Sequence, residues 1–162
     1  MPRESIASPF GRIDFEWNPD ALGTIADGSR VQGAVTRLEF RRGAVSSTAK
    51  SAAARLIKKW LAGDCDALLE IPVLQSGTAF RQEVWSAMRL IPAGTVSPYA
   101  ELAAQTSSPL AVRAAASTCA NNAIPLIVPC HRVIRADGSI GNYALGTALK
   151  RDLLVHEGVD IS

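Results

Sequence analysis

A thiol, an imidazole and a guanidinium stand in succession at Cys130, His131 and Arg132, within the run Ile127-Val128-Pro129-Cys130-His131-Arg132-Val133-Ile134-Arg135-Ala136. A cysteine is a strong nucleophile only as its thiolate, and an unperturbed thiol is mostly protonated at neutral pH. The chemistry these residues suggest is therefore thiol attack, with a neighbouring base to take the proton. His131 is adjacent in sequence, although sequence neighbours need not face each other, and the apolar approach Ile127-Val128-Pro129 would keep water off a reacting carbon.

Other chemistries have little to work with. The cysteines Cys65, Cys119 and Cys130 are odd in number and widely spaced, which argues against a disulfide framework and fits a reducing, intracellular compartment. The histidines are His131 and His156, and there is no close cysteine pair, so no metal site is expected. Neither a Walker-type loop nor a G-x-G-x-x-G turn is present to hold a nucleotide, and no cofactor is expected. His156 and Cys119 are read as a solvated and a packing residue.

The chain of 162 residues is 48% hydrophobic and 20% charged, the composition of a globular protein with one domain or two small ones. Its formal charge is +2, with 10 Lys and Arg against 9 Asp and Glu in residues 1–77 and 7 against 6 in residues 78–162. Charge offers no nucleic-acid footprint, and any binding to DNA should show a shallow salt dependence. No window holds the roughly 18 consecutive apolar residues of a membrane helix, and the polar start from Met1 to Ser8 lacks a signal-peptide core. A cytoplasmic location is the expectation, with no membrane partner.

The elements that must position the thiol follow from periodicity. Residues 12–17 alternate apolar and polar as a half-buried strand does, Asn18-Pro19-Asp20 supplies turn chemistry, and Thr36 to Phe40 repeat the alternation. Asp27-Gly28 marks a turn between the two, which predicts an antiparallel sheet. Ala53, Leu56, Ile57, Trp60 and Leu61 fall at helical spacing with Gly63 as a cap, predicting a helix that covers the sheet. Beyond the break at Gln75 to Thr78 the patterns turn helical. Phe80, Val84, Trp85 and Met88 share a helix face, Ser97-Pro98 reads as a helix start with Pro98 in first position, and Ser108-Pro109 opens a further helix to about Asn121. Two short helices across a tight turn suggest a helix-turn-helix, whose second member sets Arg113 among small residues that include Ala114 and Ala116.

Several of these features at fixed offsets carry a family likeness. Phe80, Val84-Trp85, Ile91-Pro92-Ala93-Gly94-Thr95, Ser97, Tyr99, Leu102-Ala103, Arg113-Ala114, Asn122, Pro129-Cys130-His131-Arg132-Val133-Ile134, Gly141-Asn142-Tyr143, Lys150, Leu153-Leu154 and Glu157 resemble the O6-alkylguanine-DNA alkyltransferase family. Ser8-Pro9-Phe10-Gly11-Arg12-Ile13 resembles that family's first strand.

The resemblance implies an α/β architecture: a ribonuclease H-like domain of small antiparallel sheet and helix over residues 1–76, then a mostly helical winged helix-turn-helix domain over residues 77–162 that binds DNA and accepts the alkyl group. It implies irreversible transfer from O6-alkylguanine to Cys130 once per molecule, without a cofactor and after the base has been flipped from the duplex, and it leaves O4-alkylthymine open as a further substrate. The partner would be double-stranded DNA holding the lesion, bound by a monomer, with cooperative binding left open.

By the same resemblance His131 takes the thiol proton through a water, Glu157 orients the imidazole, and Asn122 is a hinge tying the turn after the recognition helix to the active-site segment. Tyr99 pushes on a phosphate or hydrogen-bonds the base. Arg113 fills the vacated space in the duplex, and Ala114 and Ala116 lie against DNA. Pro125, Val128, Val133, Tyr143, Ala144 and Leu145 line the base pocket, where carbonyls of Val128, Cys130 and Val133 accept the guanine amino group. The departure is Ala144-Leu145-Gly146, where the family usually shows a small residue and then Gly-Gly, so Leu145 would add bulk at a pocket wall. A non-catalytic sensor of alkylated DNA is the rival reading, which the presence of Cys130 argues against. A Cys-His hydrolase is a second, which would leave the helix-turn-helix and Arg113 unexplained.

Overall fold

A computed structural model describes residues 3–45, 49–141, 143 and 145–161. The chain divides into two compact units, Met1–Gln75 and Ser76–Ser162.

In the first unit, strands β1 (Arg3–Ile6), β2 (Arg12–Thr24) and β3 (Arg30–Arg41) form an antiparallel sheet in the order β1-β2-β3. The alternation read from the sequence is the register itself: Ile13 lies opposite Phe40 and Phe15 opposite Leu38, while Asp14 pairs with Glu39 on the other face. Two features differ from the pattern. β1 carries too few alternating residues to be legible, and Asn18-Pro19-Asp20 is no turn but an irregular stretch inside β2, where the register shifts between Asn18 and Leu22. Pro19 has no N–H for the ladder, and Asn18 Oδ1 accepts the Asp20 N–H at 3.0 Å. Pairing resumes beyond it, with Gly23 opposite Val31 and Thr24 opposite Arg30, so the turn chemistry is spent on a bulge. Gly33, at φ 92, is required there, since a Cβ would stand 2.5 Å from the Trp17 ring.

Helix α1 (Ala52–Leu61) buries Ala53, Ala54, Ile57 and Trp60, and the Trp60 ring meets that of Phe10 at 5.7 Å between centroids. Gly63, at φ 109, follows its C-cap as expected. At its start Ser51 accepts the Ala54 N–H at 3.0 Å. Ser51→Ala should lower the unfolding free energy of this unit by about 1 kcal/mol, read from a denaturant midpoint; an unmoved midpoint would mean water replaces the cap without loss.

In the second unit α2 (Ala79–Arg89) starts on the Thr78 hydroxyl, which accepts the Arg81 N–H at 3.2 Å, and buries Val84, Trp85 and Met88. A two-residue strand β4 (Ser97–Pro98) precedes α3 (Tyr99–Ala104), and α4 (Val112–Ala120) follows. Both helix starts are later than the sequence reading. Ser97 is held extended by the following proline and pairs with Val133, which makes Pro98 the N-cap and Tyr99 the first helical residue. Ser108-Pro109 forms a turn closed by the Ala111 N–H on the Ser108 carbonyl at 3.0 Å, so α4 begins three residues beyond Pro109. Strand β5 (Val133–Ile134) runs parallel to β4, and α5 (Thr147–His156) buries Leu153 and Leu154; Val84, Leu102, Ile124 and Leu126 are likewise buried in this unit. Among the described residues no helix is long and apolar enough to cross a membrane.

Candidate active site

Cys130, His131 and Arg132 form one 3-10 turn directly before β5. Pro129 cannot continue a regular ladder, and the chain tightens around it: the Cys130 N–H donates to the Val128 carbonyl at 2.8 Å and the Arg132 N–H to the Pro129 carbonyl at 3.0 Å. The turn is buried, with Cys130 7% and His131 0% exposed. Polar groups withdrawn from water in this way need partners.

α5 supplies them. Lys150, Leu153, Leu154 and Glu157 follow one another at helical spacing on its buried side, so the helix carries two charges into the interior beside its leucines. Glu157 accepts from His131 Nε2 at 2.7 Å and from Arg132 Nε at 2.9 Å, and Arg132 Nη2 completes a bidentate pair. Arg132 Nη1 reaches the Ile91 carbonyl at 2.8 Å, which ties the end of α2 to the same cluster. Burial alone would raise the Glu157 pKa, but the hydrogen bonds from His131 and Arg132 outweigh it and hold the carboxyl well below its usual range. Burial also pulls His131 below its ordinary 6.5, against the upward effect of Glu157, so the imidazole is neutral at neutral pH. A neutral ring facing an ionised carboxylate must donate from Nε2, which leaves the lone pair on Nδ1. Nδ1 is buried and has no hydrogen-bond partner among the described residues.

The sulfur has its own surroundings. Burial pushes the Cys130 thiol up from its ordinary 9.0, while hydrogen bonds from Asn122 and Tyr143 and the charge of Lys150 pull part of the way back. Cys130 Sγ lies 3.7 Å from Tyr143 Oη, near enough for the phenol to donate once a thiolate forms. Asn122 is pinned on both ends of its amide, with Nδ2 donating to the Val128 carbonyl at 2.7 Å and Oδ1 accepting the Ile124 N–H at 3.0 Å. Lys150 is fully buried, donates to the Val133 carbonyl at 2.7 Å and sits 5.8 Å from the centre of the Tyr143 ring. Tyr99 is half-buried at the start of α3, and its phenol is pushed up by burial first and then by the nearby Cys119 and Cys130.

The fold thus brings Cys130, His131, Glu157, Asn122, Tyr143 and Tyr99 together, with Pro125, Val128 and Val133 buried in the segments that lead into and out of the turn. Arg113 and Ala114 belong to the exposed face of α4 and Ala116 is half-buried. Leu145 is 39% exposed, in a turn closed by the Gly146 N–H on the Tyr143 carbonyl at 2.9 Å. Ala144 and Asn142 lie outside the described residues. Sequence reasoning gave no role to Arg132 or Lys150, which complete the buried charge cluster. The spacing of Lys150 to Leu153, Leu154 and Glu157 was the available signal, because a lysine on the apolar face of a helix needs an internal acceptor.

Residues 79–159 match the family model described as the DNA binding domain of 6-O-methylguanine DNA methyltransferase, half of the chain. The regulatory protein Ada of Salmonella typhimurium is 46% identical over 92 residues, covering 57% of this chain and 26% of its own length. The chain therefore spans about a quarter of that relative. The methylated-DNA–protein-cysteine methyltransferase of Shigella flexneri is 38% identical over 114 residues, covering 70% of this chain and 67% of its own. The crystal structure of Mycobacterium tuberculosis OGT in complex with DNA superposes with a TM-score of 0.74 at 28% identity, covering 96% of this chain and 92% of that one. The small antiparallel sheet with helices is thus shared with OGT, and the chain belongs to the O6-methylguanine-DNA methyltransferase family.

Proposed function

We propose that this protein takes the methyl or other small alkyl group from O6-alkylguanine in duplex DNA onto Cys130, once per molecule. The observation that carries the reading is the buried Cys130 thiol on one turn with a neutral His131 whose free nitrogen is fixed by Glu157. Sγ forms the new S–C bond as the C–O6 bond breaks, and the electron pair returns to the guanine as its O6 carbonyl. The thiol proton passes through a water to His131 Nδ1, and the guanine takes a proton in turn, with the Tyr99 hydroxyl placed to help it leave neutral. Asn122 and Tyr143 donate to the sulfur while it carries charge. A thioether is not readily cleaved, so no group in the site regenerates the thiol.

The target atom lies inside the duplex, so the nucleotide must be turned out of the stack to reach a buried sulfur. We read α3 and α4 as the helix-turn-helix of a winged domain over residues 77–162, with Arg113 on the exposed face of α4 filling the gap and Ala114 and Ala116 allowing close approach. Residues 1–76 are read as ribonuclease H-like, supported by the β1-β2-β3 meander followed by α1. In the pocket the Val128 carbonyl already accepts from Asn122 and from the Cys130 N–H. That fills both of its lone pairs, whereas the Cys130 carbonyl accepts the Val133 N–H and the Val133 carbonyl accepts from Lys150, one bond each, so contacts to the guanine amino group fall to these two. Three free cysteines support a cytoplasmic location.

Intact mass after incubation with duplex DNA holding one O6-methylguanine, followed by peptide mapping, tests the reading. One methyl group on Cys130 is expected; lesion binding with no mass gain would replace repair by sensing. Leu145 is expected to restrict alkyl size, and Leu145→Gly should raise the benzyl-to-methyl rate ratio by about tenfold, the order of effect of bulk removed from an apolar pocket. An unchanged ratio would place Leu145 outside the pocket.

A further inference from the structure

Arg135 leaves the active-site strand at the level of Tyr99. β4 and β5 run parallel with Ser97 opposite Val133 and Pro98 opposite Ile134, so the next residue of each strand, Tyr99 and Arg135, emerges at the same end of the ladder. The Arg135 side chain then lies flat over Gly141, where a Cβ would stand 3.2 Å from Arg135 Cγ and 3.4 Å from Nε. Gly141 also has φ 75, so both its conformation and its bare surface call for glycine. The hairpin between them is closed by the Arg135 N–H on the Ser139 carbonyl at 3.1 Å and the Gly138 N–H on the Arg135 carbonyl at 3.0 Å. A long cation is held at a fixed place by its own loop.

The residue is exposed, and among the described residues its guanidinium makes no hydrogen bond or ion pair. Its charge reaches the Tyr99 phenol, where it opposes burial and the two thiols. Free cations are scarce in this unit. Of the seven Lys and Arg in residues 78–162, Arg89, Arg132 and Lys150 are buried, Arg81 is half-buried, and Arg113, Arg135 and Arg151 are exposed. The Asp137 carboxylate in the same loop feels this charge without bonding it. A guanidinium fork matches two phosphate oxygens, and here it need break no existing hydrogen bond to do so.

We infer that Arg135 binds a phosphodiester of the lesion strand beside the turned-out nucleotide, next to Tyr99 at the rim of the Cys130 site. The inference rests on the DNA reading above. A strand whose base enters the pocket must lay its phosphates across that rim, and a clamp there holds the nucleotide out without touching the base. Arg113 and Arg135 then act on different parts of one event, the first in the stack and the second on the backbone.

The test compares methyl transfer from duplex O6-methylguanine with transfer from the free base, which has no phosphate, in the full chain and its Arg135→Ala, Arg135→Lys and Gly141→Ala variants. Arg135→Ala should lower the duplex-to-free-base rate ratio by about tenfold, the size of one charge-assisted hydrogen bond. It should also make the salt dependence of duplex binding shallower by about 0.9 in log-log slope. Arg135→Lys should restore most of the slope but less of the ratio, and Gly141→Ala should lower the ratio by displacing the arginine. An unchanged ratio and slope in Arg135→Ala would overturn the inference, as would an equal fall in both rates, which marks a merely structural role. No transfer from either substrate by the unmutated protein would instead sink the repair reading, and this inference with it.

Discussion

Cys130→Ser should take up no detectable methyl group from O6-methylguanine duplex DNA while still binding the lesion, its transfer rate lowered by at least about a thousandfold, the scale of removing a nucleophile from a covalent catalyst. The physical reason is local. The serine hydroxyl is a far weaker nucleophile than a thiolate, and neither the Asn122 and Tyr143 hydrogen bonds nor the charge of Lys150 would ionise it in a buried site. Burial raises the Cys130 pKa above 9.0, so at neutral pH the thiolate must be generated as the reaction proceeds. That requires an unprotonated His131, whose pKa lies below 6.5. The transfer rate of the unmutated protein should therefore stay flat from neutral pH through 6.5 and decline only at lower pH, as His131 becomes protonated. A rate that persists in Cys130→Ser, or a methyl group mapped to Cys65 or Cys119, would move the acceptor elsewhere.

Glu157→Gln should be the most damaging change outside the nucleophile, because it fails on two counts. The carboxylate accepts three hydrogen bonds from two buried side chains, and an amide offers one acceptor oxygen and turns two donors toward groups that also donate. Leaving a buried guanidinium without its counter-charge costs about 3–5 kcal/mol. The His131 tautomer also loses its anchor, for which a transfer-rate loss of up to about 10⁴ is the measured precedent in other relays.

The pH dependence gives a signature that a general loss of packing would lack. His131 and Glu157 both have folded pKa values below their ordinary ones, so the unfolded chain binds protons more readily and stability is lost as pH falls. The His131 contribution is complete above 6.5 and declines below it, and the Glu157 contribution declines below 4.5. Denaturant midpoints taken from pH 8 down to pH 3 should show both declines in the unmutated protein, and the lower one should be missing in Glu157→Gln. An unchanged midpoint and an unchanged acid profile in that variant would show that the carboxylate does not hold the cluster together.

How far the chain could be read in advance varied with the kind of signal. The alternating segments at residues 12–17 of β2 and 36–40 of β3, and α1, followed directly from apolar periodicity, because a half-buried sheet and a covering helix each impose a repeat on local sequence. The helix starts at Ser97 and Ser108 were placed too early, since a serine before a proline serves a turn or an extended residue as well as a cap. The outcome depended on Val133, 36 residues away from Ser97, offering a strand partner. Asn18-Pro19-Asp20 became a bulge for a similar reason, as pairing on either side of it outweighed local turn preference.

The sequence by itself determined the family and singled out Cys130 as the proposed acceptor, because Pro129-Cys130-His131-Arg132-Val133 and its fixed offsets from Tyr99, Arg113, Asn122 and Glu157 are properties of a one-dimensional string. Only the tertiary structure decided which groups face one another. Glu157 reaches back across 25 residues to clasp Arg132 as well as His131, which fixes the imidazole with its free nitrogen on the other side. Lys150, an ordinary surface residue by type, is buried against the Val133 carbonyl and the Tyr143 ring. Arg135 is brought beside Tyr99 by a two-residue ladder and laid over a glycine six positions on. Burial and orientation arise from contacts between distant segments, and these turn an ordinary cysteine, histidine and glutamate into a site.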